Sequence, residues 1–118
     1  FNNHGNYSTI SFGSANHPTD TTIRYLTTIT LNEWSNMVVV YNGSGISSAS
    51  NYTFYINNSP KSLTTSAGFS NYGNVNYIGR YDPSHDFIGN ISSINVYNKA
   101  LSASEVAQNY NALKNRFI

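Results

Sequence analysis

Five carboxylates, Asp20, Glu33, Asp82, Asp86 and Glu105, are the whole acidic inventory of this 118-residue chain. Glycosidic hydrolysis needs two carboxyl groups facing one bond, about 5–5.5 Å or about 6.5–9.5 Å apart according to stereochemistry. Asp82 and Asp86 lie four positions apart around Pro83, which suits a turn better than an acid/base pair. Glu105 is claimed by a helix cap, so no catalytic residue is assigned. His4, His17 and His85 are scattered and not at metal-ligand spacing, which argues against zinc and for ordinary surface histidines. Carbohydrate binding asks for aromatic faces beside neutral hydrogen-bonding groups, and the 14% aromatic content, with ten tyrosines, supplies the materials. Tyr72, Tyr81, Asp82 and His85 are the candidate rim platform, whereas Tyr55 and Tyr97 read as packing residues. Tripeptides of the N-x-S/T type begin at Asn6, Asn42, Asn51, Asn57 and Asn90, hardly more than the roughly 4 that chance supplies in so Asn- and Ser-rich a chain.

The composition narrows the partners. Charged residues make up 9% of the chain and the formal net charge is +1, while Asn (19), Ser (17) and Thr (10) dominate the polar set. Such a surface meets its surroundings through neutral hydrogen bonds rather than long-range steering. No basic run interleaves with aromatics, so nucleic acid is not an expected partner. Cysteine is absent, which removes disulfides, thiolate metal sites and thiol nucleophiles together. No apolar stretch approaches the roughly 20 residues of a membrane span, so membrane insertion is not expected. The length fits one domain over residues 1–118 with a modest core.

β-Branched and aromatic residues come in short runs separated by Asn, Gly, Ser and Pro, the pattern of many short strands joined by turns. The spacing predicts strands at Tyr7–Phe12, Thr21–Thr30, Ser35–Tyr41, Tyr52–Asn57, Lys61–Thr64, Val75–Arg80 and Phe87–Tyr97. In the fourth run Tyr52, Phe54 and Ile56 share one face, which should meet the core. Met37 to Tyr41 lacks alternation and reads as a central strand covered on both faces. Asn57-Asn58-Ser59-Pro60 suits a tight hairpin, with Asn supplying positive φ and Pro60 opening an edge strand. Residues 43–50 read as a flexible connecting loop. One helix is expected near the C-terminus: Ser102 to Glu105 fits a capping box, Leu101 and Val106 a hydrophobic staple, and Val106, Tyr110, Leu113 and Phe117 an apolar stripe. Lys114 and Arg116 complement the end of its dipole.

The stretch Asn76-Tyr77-Ile78-Gly79-Arg80-Tyr81, followed by residues 87–106, resembles the C-terminal signature of laminin G-like, concanavalin A-like lectin/glucanase domains. There an "IG" strand leads to an "F-x-G-x-I" strand and then to "Y-N-x-x-L-S" running into a short helix. Trp34 before Val38-Val39-Val40-Tyr41, and Tyr52 to Asn58, look like further family motifs, with Asn58 where Gly is usual. The resemblance covers roughly residues 7–117. It implies an all-β, antiparallel jelly-roll β-sandwich with one short C-terminal α-helix. Gly79 and Gly89 suggest bulges or close approaches, and Trp34, long enough to cover a sandwich edge, reads as a core residue rather than a sugar platform.

Hydrolytic relatives place acids on alternate positions of one strand, and no predicted strand here carries such a pair. The resemblance therefore implies a non-catalytic structural or recognition module, with a carbohydrate-binding lectin as the alternative and a glycoside hydrolase a distant third. Laminin G-like domains often hold calcium on a sandwich rim, and Asp82, Asp86 and Asn74 are the candidate oxygen ligands. Complete relatives carry strands before the position of Phe1. Other subunits, or an upstream part of the same polypeptide, are therefore expected to complete the sheet, unless Tyr7 to Phe12 closes its edge. The C-terminal run "L-S-A-S-E-V" also looks like terminal modules of tailed-phage virion proteins, so an extracellular or virion surface and a cell-surface glycan are the expected setting and second partner.

Overall fold

The computed structural model describes residues 2–4, 7–14, 21–26, 30, 32–45, 48–61, 65–66, 78–82 and 85–117, with backbone alone for 2–4, 7–14, 21–26, 49, 65–66, 80–82 and 85–86. Among the described residues the regular structure is three antiparallel sheets, one α-helix and short 3₁₀ turns, one of them at Ala49–Asn51. The first sheet runs in the order β1 (Asn2–His4), β2 (Tyr7–Ser14), β3 (Thr21–Leu26) and β7 (Thr65–Ser66). The second is β4 (Met37–Tyr41), β5 (Tyr52–Ile56) and β6 (Ser59–Lys61), and a two-stranded ribbon pairs β8 (Arg80–Asp82) with β9 (His85–Asp86). Helix α1 spans Ala103–Leu113 and continues into a 3₁₀ turn over Lys114–Arg116.

Period-2 alternation places the core. Tyr52 and Phe54 are buried, with Phe54 only 1% exposed, while Thr53 between them faces solvent. Tyr52 lies opposite Tyr41 across the ladder, and the two rings stack with centroids 4.9 Å apart, a geometry that adds to their burial. Asn57 and Asn58 have φ of 49° and 64°. Two successive positive φ values make a two-residue type I′ turn, whose twist matches that of the paired strands. Ile56 consequently faces Ser59 and Tyr55 faces Pro60, which places a residue without an N–H on the edge strand. Asn57 also ties back to the start of β4: its N–H donates to the Asn36 carbonyl (2.9 Å), and its Oδ1 accepts the Asn36 N–H (2.8 Å).

The helix is capped as its sequence requires. The Glu105 N–H donates to Ser102 Oγ (3.3 Å), the Ser102 N–H donates to Glu105 Oε2 (2.8 Å), and Lys99 pairs with Glu105 from outside the helix. Val106 is completely buried while Tyr110, Leu113 and Phe117 are half-buried, so the stripe faces inward. The Lys99 side chain, followed by the bonds from Ser102, holds the Glu105 carboxyl down at about 2 against an ordinary 4.5.

Several expectations change. Met37 to Tyr41 is an edge of the described three-stranded sheet, and β5 is its middle strand. The missing alternation reflects half-burial at every position from Val38 to Tyr41. Tyr7 to Phe12 does not close an edge: β2 lies between β1 and β3, and among the described residues the short β1 is outermost. The loop after β4 is tied rather than flexible at its described residues. Asn42 Oδ1 accepts the Ser44 N–H (2.9 Å), Gly45 N–H donates to the Tyr41 hydroxyl (2.9 Å), and Asn51 Nδ2 donates to the Gly45 carbonyl (2.6 Å). Trp34 is not a core residue. It is 48% exposed, with its ring 5.1 Å from that of Phe117, because it covers the end of the helical segment instead of entering the sheet.

The largest correction concerns Phe87–Tyr97, which joins no ladder among the described residues. Its apolar pattern suits a strand, but a strand exists only when a second strand takes up its N–H and C=O groups. Residues 62–64 and 75–77 of two further predicted strands lie outside the described residues.

Two measurements check this account. Asn58→Val forces a β-branched residue into left-handed backbone and should lower stability by about 1–2 kcal/mol, whereas Asn58→Gly should be neutral or better in chemical denaturation. Because the Glu105 pKa is depressed on folding, its contribution is complete above pH 4.5 and fades as pH falls toward 2. Glu105→Gln keeps the capping hydrogen bond without the ionisation, so helical circular dichroism of wild type minus variant should decline within that window and stay level above it.

Candidate functional site

The hairpin carrying the predicted rim residues is built from two glycines and an aromatic ring. Gly79 opens it at φ 81°, a conformation that L side chains avoid. Its carbonyl accepts the Phe87 N–H at 2.7 Å, which closes the hairpin at its base. A Cβ at Gly79 would lie 3.4 Å from Ile91 Cδ1 and 3.5 Å from Phe87 Cβ, so both side chains reach this corner. A Cβ at Gly89 would stand 2.6 Å from the Phe87 ring. The expected close approach at Gly89 is therefore made by the outer end of the Phe87 ring.

Within this frame the register places Arg80 opposite Asp86 and Asp82 opposite His85, with a shift between Arg80 and Asp82. Tyr81 is the extra residue of a β-bulge, a local break in the ladder that bends its strand. The sequence signal at Gly79 was thus two positions early: the glycine makes the turn and Tyr81 makes the bulge. Four of the predicted residues, Tyr81, Asp82, His85 and Asp86, share this hairpin. Tyr72 and Asn74 lie outside the described residues.

By residue type the hairpin brings together one aromatic, one imidazole and two carboxylates, the kinds of group that recognition of a neutral polyol uses. For a hard cation the carboxylates are suitable donors. Two of them supply only part of the six to eight oxygens that calcium takes, leaving the remainder to backbone carbonyls, amide oxygens and water. No group of three or more His, Asp or Glu able to hold a metal occurs among the described residues. Glu33 is exposed and Glu105 is engaged in the helix cap.

A second feature was missed as a site because its residues read as strand. From Ile88 to Ala100 every residue is exposed, and Ile88 (97%) and Val96 (90%) are almost fully so. Ile91, Ile94 and Tyr97 are about half exposed. The segment is anchored at both ends, by the Phe87 N–H on Gly79 and by Asn109 Nδ2, which donates to the Tyr97 hydroxyl at 3.1 Å. No charged side chain occurs from Phe87 to Asn98. Four aliphatic side chains, Ile88, Ile91, Ile94 and Val96, are thus exposed within one stretch, spaced by Gly, Asn and Ser. The signal was present in the sequence as a long neutral run, since strands meant to stand at a free edge usually carry a charge or proline.

Comparison with known proteins agrees with the motifs. Residues 1–107 match the laminin G-like family described as the concanavalin A-like lectin/glucanases superfamily. Neither the curated proteins nor the solved structures give a match. Domains of this kind are β-sandwiches and are generally non-catalytic, although the superfamily includes glycosidases. Antiparallel sheets, a latching terminal helix and a family match over most of the chain lead to one conclusion: this protein belongs to the laminin G-like family of the concanavalin A-like lectin/glucanases superfamily.

Proposed function

We propose that this domain is a non-catalytic structural and recognition module of a virion or extracellular surface protein, folded as a jelly roll and used for subunit assembly or surface attachment. The reading rests on the neutral segment 88–97, whose exposed Ile88, Ile91, Ile94 and Val96 make a surface that water disfavours and a protein partner would cover. That partner is another subunit or an upstream part of the same polypeptide. In the assembled protein, backbone amides of residues 88–96 should exchange with deuterium at least about tenfold more slowly than in the isolated chain, since strand addition takes up their N–H groups. Equal exchange in the two states overturns the reading.

The bulged hairpin supports a second reading, a lectin that takes neutral glycans, with Tyr81 stacking and Asp82 and His85 accepting or donating hydrogen bonds. Calcium would be held there by Asp82 and Asp86 with Asn74. A glycan array probed with the wild-type chain, with and without a chelator, and with Tyr81→Ala and Asp82→Ala discriminates the two. A signal lost in both variants while assembly is unchanged establishes the lectin, and loss on chelation adds the metal. No signal with wild type leaves assembly as the function. Release of reducing sugar from any β-glucan by the isolated chain would contradict the non-catalytic assignment.

A further inference from the structure

We propose that Trp34 is the stacking face of a binding site for a neutral glycan, with the Asn57 side-chain amide as its hydrogen-bond donor. The proposal rests on the carbohydrate-binding reading above and adds to it a face outside the bulged hairpin.

The ring is exposed and yet held. Trp34 is 48% exposed, and the Phe117 ring meets it with centroids 5.1 Å apart and planes tilted by 42°. Phe117 follows the 3₁₀ turn that continues α1, and complete burial of Val106 docks that helix, so the indole leans on a packed element. A ring fixed before its ligand arrives loses little freedom on binding. The indole N–H has no acceptor among the described residues, whereas a buried tryptophan usually finds one. The face of an indole carries the negative part of its quadrupole, which suits the weakly positive C–H groups on one side of a pyranose ring.

The polar partner is supplied by the turn after β5. Asn57 Oδ1 accepts the Asn36 N–H at 2.8 Å, which fixes that atom as the oxygen. The amide nitrogen of this exposed residue keeps two N–H donors with no acceptor among the described residues. Asn36 follows Trp34 by two positions. Since consecutive Cα atoms are about 3.8 Å apart, the tie to Asn36 holds Asn57 Oδ1 within about 10 Å of the Trp34 Cα. A sugar stacked on the indole therefore lies within reach of the donor.

Size and charge select the ligand. Half of a tryptophan side chain is roughly 100 Å², and even with Met37, 41% exposed, counted in, the area is far below the roughly 800 Å² that each partner buries in a stable protein complex. It matches one or two sugar rings. Glu33 precedes Trp34 and Arg116 precedes Phe117, both exposed, so one charge of each sign flanks the pair and the ligand it suits is neutral.

Trp34 is the sole tryptophan of the chain, so its fluorescence, excited where tyrosine does not absorb, reports this face alone. The wild-type chain, Trp34→Ala, Asn57→Asp and Tyr81→Ala are applied to an array of neutral glucose, galactose and mannose oligosaccharides, and the strongest binder is titrated into wild type. Emission should shift as the site fills. Trp34→Ala should weaken binding at least about tenfold, with circular dichroism confirming its fold. Asn57→Asp keeps the acceptor for the Asn36 N–H and tolerates positive φ but removes the donors, so it should weaken binding about three- to tenfold at unchanged stability. Binding that leaves the emission unmoved, an array signal that survives Trp34→Ala, or Asn57→Asp binding as tightly as wild type overturns the proposal. If the surviving signal is instead lost in Tyr81→Ala, the lectin reading stands with its site on the hairpin. A wild-type chain that binds no glycan removes both.

Discussion

Complete burial of Val106 is the constraint on which the visible architecture depends. A helix of eleven residues is marginal in water without tertiary support, so the capping box starts it and burial of its apolar stripe keeps it. Once docked, it carries Asn109 to the Tyr97 hydroxyl and Phe117 to the Trp34 ring. The helix therefore fixes one end of the neutral segment and covers the approach to β4. Loss of its packing would release both. The charge pair of Lys99 with Glu105 refines this arrangement at its exposed end, where solvent screening keeps an ion pair modest.

The sheet around β5 rests on a second, more local device. Two asparagines at positive φ set the register of β5 against β6, and the first of them reaches back to Asn36 through both a backbone and a side-chain hydrogen bond. One turn thus organises three strands. The Asn36 side-chain oxygen is buried and has no partner among the described residues, a polar cost offset by the pair of bonds its backbone makes to Asn57.

What could be read from residue types was whatever local chemistry decides. The helix cap at Ser102 and Glu105, the Asn57-Asn58 turn, and the inward face of Tyr52 and Phe54 all follow from side chains within a few positions of one another. Met37 to Tyr41 reads as the centre of a sheet because half-burial on both faces erases alternation, and among the described residues it stands at an edge. Trp34 was assigned to the interior because size and apolarity do not reveal which neighbour a ring will cover. Phe87 to Tyr97 has every intrinsic mark of a strand, yet pairing is a property of two segments, and one sequence window cannot supply the second. At the hairpin, composition located Tyr81, Asp82, His85 and Asp86 together, while the bulge at Tyr81 came from a register offset that no motif encodes.

The neutrality of the run from Phe87 to Asn98 also fixes how a contact made through it would answer its environment. Mobile ions act by screening, and a surface without formal charge gives them nothing to screen. Burial of isoleucine and valine weakens as water is cooled. An attachment built on this stretch would tolerate fresh water and brine alike, and would register cold instead.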